Sequence, residues 1–174
     1  RRCPPDLSLL PVQHCWPGDA GPLLTWAVVI TRPPGVDDPA AYNLGIYRMQ
    51  VIGPDRAIMR WLPMRGGAGH HRQWLAIDEA MPVAVIIGAD PATLLAAVMP
   101  APDTVGELAL AGLIGGHRPR LAPCTTIPLH APSCAEIVLE GTIHPRETAL
   151  EGPFGDHTGY YNSPEPFPVF RLSA

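Results

Sequence analysis

Proline sets the first limit on this chain. It occurs 23 times in 174 residues, from Pro4 to Pro168. Each proline fixes φ and removes a backbone donor, so long helices and long unbroken central strands are excluded over most of the length. Apolar residues nonetheless make up 47% and mean hydropathy is +0.10, which is too apolar for a disordered Pro-rich segment. A chain of this length buries a core of its own. The expectation is one domain of short strands, short helices and braced loops.

Taken in order, residues 1–22 read as an irregular leading segment and 23–174 as the folded domain. Leu23 to Thr31 is short and β-branched, as a buried strand is. Tyr42 to Ile52 alternates, turns at Gly53-Pro54-Asp55 and returns through Ala57 to Leu62, which predicts a hairpin. Arg65 to Gly69 reads as a glycine-dense loop and His70 to Ala80 as a helix. Met81 to Gly88 is a second buried strand. Asp90-Pro91 supplies an N-cap and a first-turn proline for a helix to about Val98, and a further helix spans Val105 to Ile114, stopped by Gly115-Gly116. Arg120–Ile127, Ala135–Ile143 and Phe167–Leu172 read as strands. Strands outnumber helices without βαβ alternation, which points to an α+β domain on a β-barrel or curled sheet.

The charge and cysteine patterns narrow the function classes. All 12 basic residues are Arg, the net charge is −4, and no basic run is present, so nothing favours nucleic acid. Cys3, Cys15, Cys124 and Cys134 lack metal-ligand spacing and read as reduced cytosolic thiols. No signal peptide or run of membrane-spanning length is visible, which leaves at most peripheral contact with the inner face of a membrane. The chain starts without Met and its last apolar run reads as a strand cut short, so a longer parent protein is expected.

Three sets of residues carry chemistry. Glu151 and Asp156 are separated by Gly-Pro-Phe-Gly and followed by His157, Thr158 and two tyrosines. Such a turn aims carboxylates for acid–base work, or else it is a surface loop with two solvated acids. Asn43, His70 and Glu107 are polar residues in apolar surroundings, and their donor types suit Mn²⁺ or Mg²⁺. Each also has a structural reading: a strand end, a helix start, and a first-turn carboxylate favoured by the helix dipole. Arg48 and Arg60 need anionic partners if buried, and Arg65 beside Gly66-Gly67 could let backbone N–H groups approach a phosphate. Those arginines fit equally on the outer face of amphipathic strands. His71, His117, His130 and His144 have no evident partner and read as structural. Trp26, Trp61 and Trp74 read as core, with Trp61 also placed to flank a flat ligand.

The segments Tyr42–Gln50, Ile58–Leu62, Arg65–Ala68, Pro82–Val85 through Gly88–Pro91, Ala135–Gly141 and Glu151–Tyr161 together resemble the UbiD decarboxylase family. The resemblance runs in order from about Asp6 to the end and is nearest the ubiquinone-pathway branch, the 4-hydroxy-3-polyprenylbenzoate decarboxylases. It implies a split β-barrel flavin-binding domain with a few short helices, the central part of a three-domain enzyme. It also implies prenylated FMN held through its phosphate by Mn²⁺ (or Mg²⁺) and K⁺, an aromatic carboxylic acid substrate, and a flavin prenyltransferase as cofactor supplier. The full-length enzyme is expected to form a homo-oligomer.

On this chain the resemblance puts Asn43, His70 and Glu107 at metal-ligand positions. Ile46, Tyr47, Arg48, Arg60, Trp61, Leu62, Arg65 and Gly66 fall in flavin-contacting segments. Arg48, Glu151 and Asp156 match the catalytic triad, with Asp156 the proton donor and Arg48 holding the acid pair. Pro63-Met64 departs from the family pattern, where His often precedes Arg-Gly-Gly. Other readings are a flavin module inactive in isolation, a UbiD-like decarboxylase of another aromatic or α,β-unsaturated acid, and a scaffold with a decayed site.

Overall fold

The computed structural model describes residues 5–102 and 104–174; the expectation for Cys3 lies outside them. Its elements run β1 (Leu23–Leu24), β2 (Val28–Thr31), β3 (Asn43–Ile46), β4 (Met49–Gly53), β5 (Arg56–Met59), α1 (Gly66–Ala76), β6 (Met81–Ile87), α2 (Pro91–Ala96) and α3 (Glu107–Gly115). The remainder is β7 (Leu121–Pro123), β8 (His130–Pro132), β9 (Ile137–Glu151) and β10 (Glu165–Leu172). Eight strands form one antiparallel sheet in the order β1-β4-β5-β10-β9-β6-β2-β3, and β7 pairs with β8 apart from it.

This order dictates the shape. β3 is the last strand and β4 the second, yet only Tyr47 and Arg48 join them. The sheet must therefore curl until its two ends face each other, while no ladder closes β1 onto β3. The α+β split barrel is the result. Alternation in β2 and β6 fills both faces. Val29, Val83 and Val85 point into the barrel with Met49, Met59 and Phe170, whereas Val28, Ile30, Ala84 and Ile86 point outward beneath Ile127 and Leu129. Both strands are consequently buried on each side, as their apolar runs predict.

Several expected elements change. The run Leu23–Thr31 is two strands, because the chain leaves the sheet at 25–27; Trp26 is 75% exposed there and is not core. Trp61 and Trp74 are buried as expected. The alternating run Tyr42–Ile52 breaks at Tyr47-Arg48 to cross between the sheet's ends, and only its second half enters the hairpin. Arg65–Gly69 is not a flexible loop, since Arg65 is the N-cap of α1 and the glycines form its first turn. The run Arg120–Ile127 keeps strand geometry only at Leu121–Pro123, where it pairs with β8 outside the main sheet. β9 continues eight residues beyond Ile143, past a bulge in which Arg146 adopts φ +63°, and it ends on Glu151. Cys15, Cys124 and Cys134 are free thiols. Among the described residues no helix is long and apolar enough to cross a membrane.

Candidate active site

Glu151 terminates β9 with no exposed surface. A buried carboxylate is tolerated only when it is paired and hydrogen-bonded, and two arginines meet that demand. Arg48 donates from Nε and Nη2 to the two carboxylate oxygens at 2.7 and 3.1 Å, and Arg60 Nη1 donates to Oε2 at 2.7 Å. Arg48 Nη2 also reaches Asn162 Oδ1 at 3.0 Å. Both arginines sit just outside strands: Arg48 on the β3–β4 crossing and Arg60 directly after β5, with the Arg60 N–H donating to the Arg48 carbonyl at 3.2 Å. Aromatic faces support the two guanidiniums, Phe154 at 5.3 Å from Arg48 and Phe167 at 5.1 Å from Arg60. Arg60 thus serves the buried acid.

The loop after Glu151 is pinned before it reaches Asp156. The Gly152 N–H donates to Gln50 Oε1 at 2.9 Å, Phe154 is buried, and Phe154 and Asn162 exchange hydrogen bonds of 2.9 and 3.1 Å. Asp156 occupies the turn beyond. Its Oδ1 accepts from both the backbone N–H and Nδ1 of His157, each at 2.7 Å. The His157 side-chain bond, followed by its backbone N–H, holds the Asp156 carboxyl below the ordinary range. Arg48 makes no hydrogen bond to Asp156 and acts on it only through space, so the expectation that Arg48 holds both acids is corrected. Nε and Nη2 of Arg48 are committed to Glu151 and Asn162, and its Nη1 makes no hydrogen bond among the described residues.

A cleft of about 650 Å³ opens beside β3, lined by Asn43, Ile46, Tyr47, Arg65, Gly66, His70, Glu107 and residues 97–102 and 104–106. Asn43 begins β3, and Tyr47 Oη accepts from Asn43 Nδ2 at 3.3 Å and from the Gly67 N–H at 3.2 Å. That contact fixes the amide and leaves Oδ1 against Gly66, where any Cβ would collide with it. His70 lies one turn into α1, with Nδ1 2.9 Å from Thr31 Oγ1 and no partner for Nε2 among the described residues. Burial depresses the imidazole below its ordinary value, partly offset by Thr31, so the ring is neutral at pH 7. Glu107 opens α3 and accepts from the Leu44 N–H at 3.3 Å. Burial pushes its carboxyl up, and no cation pairs with it among the described residues.

The structure therefore brings Asn43, His70 and Glu107 to one cleft, together with Ile46, Tyr47, Arg65 and Gly66. Arg48, Arg60, Trp61 and Leu62 do not line it. Trp61 is 4% exposed and packs edge-on to Tyr47 at 6.1 Å, so it cannot flank a ligand in this arrangement. Sequence reasoning missed Asn162, Phe154, Gln50, Thr31 and the pairing of His157 with Asp156. Only the adjacency of His157 to Asp156 carried any local signal. His130 also has a partner, Tyr42 Oη at 3.3 Å.

An α+β split barrel with a polar cleft beside β3, and with a doubly paired buried glutamate at the end of β9, is the class of protein that the fold and the site define. The family model for the UbiD 3-octaprenyl-4-hydroxybenzoate carboxy-lyase Rift-related domain matches residues 1–174. The chain belongs to the UbiD family. The UbiD-class enzyme HmfF from Pelotomaculum thermopropionicum, solved with FMN, is 36% identical with TM-score 0.89 over 97% of this chain and 37% of its own. An evolved dimeric form of HmfF in complex with prFMN gives 36% and 0.87 over 94% and 38%. Vanillic acid decarboxylase from Sedimentibacter hydroxybenzoicus gives 29% and 0.88 over 94% of this chain and 35% of its own. The 3,4-dihydroxybenzoic acid decarboxylase AroY from Klebsiella pneumoniae gives 26% and 0.85 over 97% and 37%. The chain spans little more than a third of the length of these solved relatives.

Proposed function

We propose that this chain is the prenylated-FMN-binding core of a non-oxidative carboxy-lyase acting on an aromatic acid. The observation that carries the reading is the fully buried Glu151 held between Arg48 and Arg60 beside the seam, since so costly an arrangement is hard to explain by stability alone. The residues present fit the cofactor. α1 begins at the cleft wall, where the first-turn N–H groups other than that of Gly67, which Tyr47 already accepts, and Arg65, whose guanidinium makes no hydrogen bond among the described residues, suit a phosphate. Asn43 Oδ1, His70 Nε2 and the Glu107 carboxylate, which line the same cleft, would hold Mn²⁺ or Mg²⁺, and the ion would supply positive charge to neutralise that phosphate. K⁺, a supplying flavin prenyltransferase and a homo-oligomeric parent belong to the same reading, the last supported by the dimeric HmfF.

Decarboxylation leaves an electron pair on carbon, and prenylated FMN, when bound, supplies the electron sink that no side chain offers. The chain's own residues do the rest. Arg48 and Arg60 keep Glu151 in place as a fixed anion. Asp156 delivers a proton from Oδ2, the oxygen not engaged by His157, to the carbon that has lost CO₂. Its exposed position lets it take the next proton from solvent.

The substrate we favour is 4-hydroxy-3-polyprenylbenzoate, converted to 2-polyprenylphenol in ubiquinone biosynthesis, which the matching family description supports. A smaller phenolic acid is the second reading, favoured by the vanillic and dihydroxybenzoic acid decarboxylases. The test is co-expression of the full-length protein with a flavin prenyltransferase, then the cofactor's mass and spectrum and a panel of these three acids. Bound prenylated FMN with CO₂ release that Asp156→Asn abolishes is expected. Unmodified turnover in Asp156→Asn would sink the assignment. Flavin bound without turnover in the 174-residue chain alone would mark it as a binding module that needs the rest of the protein.

A further inference from the structure

The leading segment, irregular by sequence, grips the loop that carries Asp156. Asp19 Oδ1 accepts from the Gly155 N–H at 3.0 Å, one residue before Asp156, while Asp19 Oδ2 accepts from the Trp16 N–H at 3.0 Å. The Ala20 N–H donates to the Pro153 carbonyl at 2.9 Å, and the Gly18 N–H donates to Tyr161 Oη at 3.3 Å. Close approach confirms the fit: a Cβ on Gly155 would stand 2.9 Å from the Trp16 ring, and one on Gly18 would stand 2.8 Å from the Tyr161 ring. Burial alone would raise the Asp19 carboxyl, but the N–H groups of Gly155 and Trp16 outweigh it and hold it low.

The geometry points to Asp19 as a positioning residue for Asp156, acting through the Gly155 N–H, with residues 16–20 as a brace for the acid-bearing turn. The reason is mechanical. Phe154 is buried and Asn162 is tied to Arg48, so the loop's base is fixed from inside the barrel. Beyond Phe154 the turn is exposed, and its internal bonds, Asp156 N–H to Tyr160 O at 3.0 Å and Gly159 N–H to Asp156 O at 2.9 Å, do not tie it to the barrel. Among the described residues, the Asp19 carboxylate makes the hydrogen bond from outside the loop that falls nearest in sequence to the acid. A carboxylate suits this place because it accepts from two diverging N–H groups at once.

This inference rests on the reading of Asp156 as proton donor, and the test separates the two. In the full-length chain carrying prenylated FMN, Asp19→Ala is expected to lower kcat about 10- to 100-fold by misplacing the acid, with KM within about twofold. The flavin spectrum should be unchanged, and the amides of residues 155–160 should exchange faster with deuterium. Asp19→Asn keeps one acceptor oxygen and should fall between Ala and wild type. Tyr161→Phe, which removes only the Gly18 bond, supplies a milder variant if Asp19→Ala does not fold, and it should loosen the same amides with a smaller fall in kcat. A normal kcat in Asp19→Ala beside an inactive Asp156→Asn overturns this inference alone. So does an activity loss matched by flavin loss with normal kcat per bound flavin. An active Asp156→Asn overturns both readings together.

Discussion

Replacing Arg60 by Met removes one of two guanidiniums from a carboxylate with no exposed surface. The lost contact is a 2.7 Å charge-assisted hydrogen bond, while Arg48 keeps its two bonds of 2.7 and 3.1 Å. Stripping a buried pair of its only partner costs about 3–5 kcal/mol. Because Arg48 remains, the relevant scale is one bond to a charged group, about 1.5–3 kcal/mol. Loss of the Phe167 contact adds about 0.5–1 kcal/mol, since Met preserves much of the aliphatic stem. Arg60→Met should therefore destabilise by about 2–4 kcal/mol, and Arg48→Met by more, about 3–5 kcal/mol, as it also releases Asn162. Urea unfolding monitored through buried Trp61 and Trp74 measures this, and a double-mutant cycle with Glu151→Gln isolates the pair. A coupling above about 1 kcal/mol that persists at high salt is expected of a buried pair. An Arg60→Met variant within about 0.5 kcal/mol of wild type, or strict additivity with Glu151→Gln, would refute the buried-triad argument.

Gly66→Ala pushes a Cβ into the Asn43 amide oxygen, so Mn²⁺ affinity should drop about 10- to 100-fold while the barrel stays folded; calorimetric titration of Mn²⁺ reads this. Glu107 has a carboxyl raised by burial, so its contribution to stability is full below the ordinary carboxylate range and is lost as pH rises through the raised value. Glu107→Gln should accordingly raise the metal-free melting temperature at pH 7, with the gain closing in acid, and saturating Mn²⁺ should reverse the ranking. Glu140 is the opposite case. Burial alone would raise it, but hydrogen bonds from Thr126 and Thr125 outweigh that and hold it low. Its stabilisation is thus present above the ordinary range and fades as pH falls through the lowered value. Glu140→Ala leaves two N–H groups without acceptors and should cost about 2–4 kcal/mol at pH 7, less in acid, measured by thermal unfolding.

Local signals were legible where local physics decides. Asp90 caps α2 through the Thr93 N–H at 3.0 Å, Gly116 stops α3 in the left-handed region, and the β4–β5 hairpin turns where Pro54-Asp55 predict it. Trp26 failed because an aromatic in an apolar run does not reveal that the chain has left the sheet. Arg65–Gly69 failed because glycine density is usually read as a loop, whereas here close packing demands it: Gly66 lies on Asn43, and Gly67 lies on Trp61. Arg60 was assigned by its segment to the flavin, but its partner stands 91 residues away on β9. No spacing rule reports a contact set by strand order. The metal-type residues Asn43, His70 and Glu107 were nameable by chemistry, yet their convergence came only with the fold.

The curl of the sheet explains why one short segment serves both halves of the candidate site. Asn43 and Arg48 are five residues apart, but between them the chain leaves the last strand of the sheet and enters the second. On the near side of this crossing Asn43 faces the cleft; on the far side Arg48 grips Glu151. Tyr47 joins the two, buried at the seam with its hydroxyl bound to Asn43 and to the Gly67 N–H at the start of α1. A flat sheet would put its two ends far apart, beyond the reach of a two-residue connection. The curl of the sheet is therefore what lets the cleft and the buried acid cluster meet on one short segment. A displacement of Tyr47 should consequently disturb both, whereas changes at Glu107 or Arg60 should each remain on one side.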